Sequence, residues 1–141
     1  MMRTMDDDFS ARHQCFSDLM RKHATVEERL TSLPSTDRVI ICPIVRGEIR
    51  YGIEQLPPSK RRQDLENQVA PLFTIIPCEP ILESAGDHYA NIKLIRQRKG
   101  LTLDENDLWI AATAAALAAT LITRDSDFQK IEGLPVNDWT A

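Results

Sequence analysis

Apolar residues recur along the chain with two different spacings, and the alternation between them predicts strands and helices in turn. Short runs rich in β-branched residues have the composition of buried strands; they lie at residues 39–42, 73–76 and 120–123, with a last one at Val136. Apolar residues spaced three or four apart predict helices over about 16–33, 44–56, 59–69, 80–99 and 104–119. A polar turn with a short helix is expected over 124–131.

Proline, glycine and capping residues mark the expected ends of these helices. Pro57 ends the second helix, because a proline disfavours the helical conformation of the residue before it. Ser59 is expected as the N-cap of the third helix, and Asp104 as the cap of the alanine-rich helix. Pro80 is expected near the first turn of the long fourth helix, which should stop at Gly100.

The order of the predicted elements indicates the fold class. Apolar strands that alternate with helices are typical of a parallel sheet covered on both faces. The alanines between Ala111 and Ala119 would let their helix lie close to that sheet. With 141 residues, the chain suits one domain. We therefore expect an α/β protein, a three-layer α/β/α sandwich with a central parallel sheet and a helical arm over about 44–70.

Composition narrows the class of protein. The formal net charge of −4 argues against non-specific nucleic-acid binding through bulk charge. No apolar run reaches the roughly 18 residues that a membrane span needs. The three cysteines, Cys15, Cys42 and Cys78, show neither a disulfide framework nor the spacing of a zinc site. Acids stand near the N-terminus in place of a secretory signal, so the cytoplasm is the expected compartment.

Four acids stand where α/β folds build their sites. Glu48 lies in an otherwise apolar helix, and Asp107 lies in the first turn of the alanine-rich helix. Asp125 and Asp127 follow the strand at 120–123, where the carboxyl edge of an open sheet is expected. Such oxygen ligands suit Mg²⁺ or Mn²⁺ better than zinc. Taken one at a time, the same acids could serve a helix dipole, a solvated helix face or a turn.

Three ordered motifs resemble those of a known family. They read PIVRGEIRYGIE at 43–54, NDLWIAATA at 106–114 and LITRDSDF at 121–128, and IEGLPV follows at 131–136. In their order and spacing they resemble the PIN-domain ribonucleases over about residues 16–140, and within that family the toxins of the VapC type. The resemblance implies a PIN-like fold and cleavage of RNA.

The resemblance also implies roles for the acids. In PIN-domain ribonucleases, acids at the positions of Glu48, Asp107 and Asp125 converge on one or two Mg²⁺ or Mn²⁺ ions, which activate a water against an RNA phosphodiester. These three are therefore the expected metal ligands and catalytic residues. Thr123 and Asp127 are expected to support the metal ligands without binding the metal themselves. Asp127 is also expected to cap the following turn. VapC-type toxins are neutralised by a small antitoxin, so we expect a complex with that protein, and also a homodimer.

The N-terminus departs from the family pattern. The family's first metal aspartate lies in a short apolar strand reading LDTN or similar, whereas the corresponding positions here are Arg12, His13 and Gln14. Residues 6–15 can be encoded so that a reading frame shifted by one base gives MMIFLLDTN. We hypothesise that residues 1–15 are a frameshifted translation of the first strand, followed by a PIN-like domain at 16–141. The nucleotide sequence would decide this.

Basic and aromatic residues near the acids allow two interpretations. One basic group could follow an RNA backbone beside the site or form a solvated helix face; it comprises Arg46, Arg50, Lys60, Arg61 and Arg62. A second group at the end of the fourth helix is expected to complement the helix dipole; it comprises Arg96, Arg98 and Lys99. Tyr51 and Trp109 stand beside the acids in the sequence; they could stack on RNA bases, but core packing is the expected role.

The leading hypothesis is a Mg²⁺- or Mn²⁺-dependent endoribonuclease toxin that an antitoxin neutralises. Because the first aspartate is missing, an alternative is a catalytically impaired PIN-like module that acts by binding an antitoxin and operator DNA. A more distant alternative is a metal-dependent phosphatase of another α/β fold. Restoring the aspartate separates the first two, since only the enzyme would recover cleavage.

Overall fold

The computed structural model describes residues 12–16, 37–123 and 125–138, with the backbone alone for 12–16 and Asp37. Its sheet has four parallel strands, which are β1 (Arg12–Phe16), β2 (Asp37–Ile40), β3 (Thr120–Ile122) and β4 (Val136–Asn137). The strands lie in the order β2-β1-β3-β4, so β1 is an inner strand with Cys15 opposite both Ile40 and Leu121. The predicted α/β class with a parallel sheet is confirmed.

Four α-helices lie in the part of the chain that the structure describes, namely α1 (Pro43–Glu54), α2 (Lys60–Ile75), α3 (Glu83–Arg98) and α4 (Glu105–Ala116). A short 3₁₀ helix (Ser126–Lys130) follows β3, as the polar turn predicts. α3 packs along α4, and α1 contacts both α2 and α4. The helical arm consists of α1 and α2. Of these helices, none combines the length and the apolar character that a membrane crossing requires.

Local sequence signals set several helix ends as predicted. Pro43 occupies the first turn of α1. The Ser59 hydroxyl accepts a hydrogen bond from the Arg62 backbone N–H at 3.2 Å, which confirms Ser59 as the N-cap of α2. Gly100 ends α3 with φ at +69°, a left-handed conformation that glycine adopts without strain. Asp104 precedes α4 as predicted, although its side chain makes no capping hydrogen bond there.

The predicted strand at 73–76 is wrong, because these residues complete α2 and its C-cap. Val69 and Ile76 are buried, and Phe73 packs against the same core. These three apolar residues recur at helical spacing, so burying one face of α2 outweighs the strand-like composition of the short run.

Two other helix ends differ from prediction. Pro80 lies before α3 rather than in its first turn, since α3 begins at Glu83. α4 ends at Ala116 instead of continuing to Ala119, because Ala118 takes a left-handed backbone conformation with φ at +52°. The chain therefore leaves the helix earlier and turns directly into β3.

The alanine-rich part of α4 lies in the core, as predicted. Ala111, Ala112 and Ala114 are fully buried, as are Ile110 in the same helix and Leu121 in β3. Because a short turn joins α4 to β3, α4 runs opposite to the strands. Its first turn therefore lies at the carboxyl edge of the sheet, where the candidate acids are expected.

The N-terminal predictions fall only partly within the described residues. The predicted helix at 16–33 lies outside them, except that Phe16 ends β1. Arg12 pairs with Asp37 at the amino end of β1, away from the carboxyl edge of the sheet. The expected boundary between residues 15 and 16 falls within β1, and the division of the chain at that point stays a prediction.

Candidate functional site

Two helices carry acids to the carboxyl edge of the sheet. α1 begins shortly after β2 and holds Glu48 near its middle. α4 presents its first turn at the same edge, with Asp104 as its N-cap and Asp107 inside the turn. Because α1 packs against α4, acids that are distant in the sequence come together.

Glu48, Asp104 and Asp107 form a group that we call the carboxylate cluster. One carboxylate oxygen from each residue lies within 4.8 Å of the other two. Asp107 is partly buried, whereas Glu48 and Asp104 are exposed. The cluster unites two of the three predicted ligands and adds Asp104, which the sequence indicated only as a cap. The sequence could have indicated Asp104 as a member of the cluster, because it stands three residues before Asp107 and residues three apart lie on one side of a helix.

The environment of Asp107 changes its ionisation. Burial and the negative charges around it raise its pKa to about 6. Those charges, from the strongest to the weakest effect, belong to Asp104, Glu48, Asp125 and Asp127. Beside it, the Asn106 side-chain amide donates a hydrogen bond to Glu48 Oε2 at 3.4 Å. A group of carboxylates that repel one another favours either a shared proton or a bound cation.

Asp125 and Asp127 follow β3 and lie near enough to Asp107 to raise its pKa, although they stand outside the carboxylate cluster. The buried Thr123 hydroxyl accepts a hydrogen bond from the Asp125 N–H at 3.1 Å. Asp125 Oδ1 accepts one from the Asp127 N–H at 2.9 Å. The expectation that Asp127 caps this turn is wrong, since Asp125 is the N-cap of the 3₁₀ helix.

The basic residues predicted near the site differ in their contacts. The guanidinium of Arg46 lies over the ring of Phe73, 4.2 Å from its centroid. Arg50 and Arg62 both form ion pairs with Glu54. The remaining two, Lys60 and Arg61, are exposed at the start of α2. These two are therefore the better candidates for contacts with an external anion, because Arg46, Arg50 and Arg62 already have partners within the chain.

The two aromatic residues beside the acids have different surroundings. Trp109 is partly buried and stacks on Tyr89, with the ring centroids 4.1 Å apart. Tyr51 is 68% exposed and lines an open groove that also contains Glu48. The prediction that Tyr51 packs in the core is wrong, because it lies on the side of α1 opposite buried residues such as Ile49.

Comparison with known proteins gives consistent matches over most of the chain. The PIN domain family matches residues 15–134. Ribonuclease VapC2 of Rickettsia felis is 26% identical over 111 residues, which cover 78% of this chain and 81% of that protein. Ribonuclease VapC1 of Haemophilus influenzae strain R2866 is 30% identical over 119 residues, which cover 82% of this chain and 84% of that protein.

A solved structure shares the fold. It is the crystal structure of VapBC2 from Rickettsia felis bound to a DNA fragment from their promoter, and one of its chains superimposes on this chain with a TM-score of 0.80. The superposition covers 90% of this chain and 98% of that chain, at 22% sequence identity. The arrangement of helices around the parallel sheet is therefore common to both.

Proposed function

The chain belongs to the PIN-domain family as a VapC-type protein, and on that premise we propose that it is a Mg²⁺- or Mn²⁺-dependent endoribonuclease toxin. The carboxylate cluster carries the proposal, because acids from two helices place their oxygens within 4.8 Å of one another. Two of them, Glu48 and Asp107, stand in the motifs that resemble the family. RNA is the proposed substrate, since the VapC relatives are named ribonucleases.

The donor atoms of the cluster fit a hard divalent cation. All of them are carboxylate oxygens, which Mg²⁺ and Mn²⁺ prefer over the nitrogen and sulfur donors that suit zinc. The raised pKa of Asp107, about 6, reflects burial together with negative charge that a cation would neutralise. We propose Glu48, Asp104 and Asp107 as ligands, with Asp125 completing the set from the end of β3.

The remaining residues would hold this site in shape and position the substrate. A bound divalent cation would activate a water and stabilise the leaving oxygen of the phosphodiester. Asn106 orients Glu48 through the hydrogen bond to Oε2, and Thr123 anchors the backbone of Asp125. Lys60 and Arg61 would attract the phosphates of the RNA backbone.

The sequence of β1 favours a second candidate, a catalytically impaired PIN-like module that binds an antitoxin and operator DNA. β1 reads RHQCF, so this inner strand supplies no carboxylate to the site. The VapBC2 complex of Rickettsia felis is bound to promoter DNA, and binding of that kind needs no nuclease chemistry from the toxin. A chain that lacks one catalytic acid could therefore still bind an antitoxin and operator DNA.

We also propose a small antitoxin as a protein partner, because the solved relative is a VapBC complex. A homodimer and a cytoplasmic location are proposed on the family resemblance. Co-expression with the protein encoded beside this chain, followed by size-exclusion chromatography, tests both assemblies. A complex that survives purification is expected, and a chain that elutes alone as a monomer would contradict both.

RNA cleavage assays test the enzymatic proposal directly. Transfer RNA and messenger RNA are incubated with the protein and Mn²⁺, with EDTA as the metal-free control. Cleavage that requires Mn²⁺ and disappears in Asp107→Asn is expected. Asp87→Asn is the matched control, because it removes the same charge from an exposed position on α3. RNA that stays intact under all conditions, together with a stable antitoxin complex, would favour the impaired module.

A further inference from the structure

Arg96 has an unusual environment for a charged residue. It lies in the last turn of α3 with only 4% of its surface exposed, whereas Arg98 and Lys99 beside it are exposed. Within the described residues, its Nε and Nη1 atoms have no hydrogen-bond partner. Burying an incompletely paired guanidinium is unfavourable, so complementing the helix dipole does not explain why Arg96 points inwards.

Beyond the hydrogen bonds of α3 itself, Arg96 makes two that lead to the loop between α3 and α4. Its Nη2 donates to the carbonyl oxygen of Thr102 at 3.0 Å. Its own carbonyl oxygen accepts a hydrogen bond from the Leu101 N–H at 2.9 Å, beside the left-handed turn at Gly100. Side chain and main chain of Arg96 together therefore hold two consecutive residues of this loop.

This loop determines where α4 begins. Thr102 lies two residues before Asp104, which is the N-cap of α4 and accepts the first hydrogen bond of the helix from the Leu108 N–H. Asp104 follows this loop directly, and its carboxylate lies beside those of Glu48 and Asp107. A shift of the loop would therefore move Asp104 away from the other two acids.

We propose that Arg96 is a positioning residue for the carboxylate cluster. By holding the Thr102 carbonyl, it fixes the loop that leads into α4, so that Asp104 meets Asp107 and Glu48. The inference rests on the proposed function in one respect only, which is that the cluster binds a divalent cation. Arg96 itself touches neither that cation nor the substrate.

α4 has other contacts that keep it docked when Arg96 is changed. Tyr89 stacks on Trp109, and its hydroxyl donates a hydrogen bond to Glu105. Lys93 donates to the Tyr89 hydroxyl at 2.9 Å and pairs with Glu105. These contacts join α3 to the helix itself rather than to the preceding loop. Loss of the Arg96 side chain should therefore loosen the loop without separating the two helices.

Arg96→Met separates a positioning role from a purely structural one. Methionine fills a similar volume but cannot bind Thr102, and it removes a buried charge, so the thermal midpoint should equal or exceed that of the parent chain. Calorimetric titration with Mn²⁺ should nevertheless show affinity reduced at least about fivefold. Arg98→Met is the matched control and should bind Mn²⁺ like the parent. Arg96→Lys, which keeps one donor group, should recover part of the lost affinity.

Two results would overturn the inference. One is Mn²⁺ affinity in Arg96→Met equal to that of the parent chain. The other is unfolding or a large loss of thermal stability in Arg96→Met, which would give Arg96 a structural role instead.

Amide resonances of the metal-free protein test the positioning role of Arg96 separately from the metal-dependent function. Amide resonances of residues 102–107 should shift in Arg96→Met and stay in place in Arg98→Met. If the parent chain fails to bind Mn²⁺ while these resonances shift, the metal-dependent function fails and the positioning of the loop stands. Resonances that do not move in Arg96→Met overturn the positioning itself.

Discussion

Glu48 of α1 and Asp107 of α4 bring carboxylate oxygens within 4.8 Å of each other, although different helices carry them. With Asp104 in the same cluster, their charges repel, and the burial of Asp107 adds to the free energy needed to ionise it. A divalent cation would relieve this repulsion by adding two positive charges. The metal-free and metal-bound forms should therefore differ in stability and in proton binding.

Asp107→Asn should lower Mn²⁺-dependent RNA cleavage by about 100-fold or more, because the amide keeps the shape of the side chain and removes the charge that binds metal. Initial rates of cleavage at saturating Mn²⁺ measure the effect, and circular dichroism checks that the fold is intact. Asp87→Asn should cleave like the parent chain. Unchanged cleavage in Asp107→Asn would assign Asp107 to the start of α4 alone.

The stability of the metal-free protein should fall as pH rises through about 6. Asp107 has a folded-state pKa of about 6 against 3.8 for the free side chain, so the folded chain holds this proton more tightly than the unfolded chain. The stabilisation from that proton is complete below pH 3.8 and is lost as pH rises through the folded-state pKa.

Asp107→Asn should remove this loss and raise the stability of the metal-free protein near neutral pH by about 1–2 kcal/mol, allowing for solvent screening. The gain should shrink towards zero in acid, where the parent carboxyl is protonated. Chemical denaturation in EDTA at about pH 7.5 and about pH 4 measures the difference. A variant less stable than the parent at the higher pH would contradict the origin assigned to the raised pKa.

Glu48→Gln should weaken Mn²⁺ binding by about tenfold, because it removes a charged ligand but leaves an oxygen that can still accept from Asn106. Calorimetric titration at constant pH measures the affinity. Glu54→Gln serves as the control, since it makes the same change on the same helix outside the carboxylate cluster. An isotherm for Glu48→Gln that matches the parent would show that Glu48 is a solvated helix residue.

Replacing residues 1–15 with the shifted-frame peptide MMIFLLDTN, followed by the valine whose codon begins next in that frame, should raise stability and restore RNA cleavage together. Stability should rise because the inner strand gains large apolar side chains, each contributing roughly 1.5–3 kcal/mol when fully buried. Cleavage should rise because the apolar residues IFLL would form the inner strand in place of RHQCF, and the aspartate that follows them would then lie at the carboxyl edge of the sheet. Thermal unfolding and the Mn²⁺-dependent cleavage rate are measured on the same preparations.

The same peptide with asparagine in place of its aspartate is the matched control for this replacement. It should gain stability without gaining cleavage, since the strand is repaired and the carboxylate is not. A replacement that stabilises the protein but leaves cleavage at background even with the aspartate present would remove the main support for the enzymatic proposal. The impaired module would then be favoured.

Local signals in the sequence were sufficient for several helix ends and for two acids of the site. Ser59 caps α2 and Gly100 ends α3 because capping and left-handed turns depend on a few neighbouring residues. Glu48 and Asp107 could be chosen because their motifs resemble those of a family. Each of these signals lies within about a dozen residues and needs no knowledge of distant packing.

Only the tertiary structure decided whether an ambiguous segment forms a strand or a helix, and which acids lie close together. The residues at 73–76 have strand-like composition, yet the core buries them as the end of α2. Asp104 enters the carboxylate cluster because α1 packs against the start of α4, and Arg96 is buried because α3 packs along the same helix. Burial and the proximity of charges arise from segments far apart in the chain, so periodicity along the sequence could not determine them.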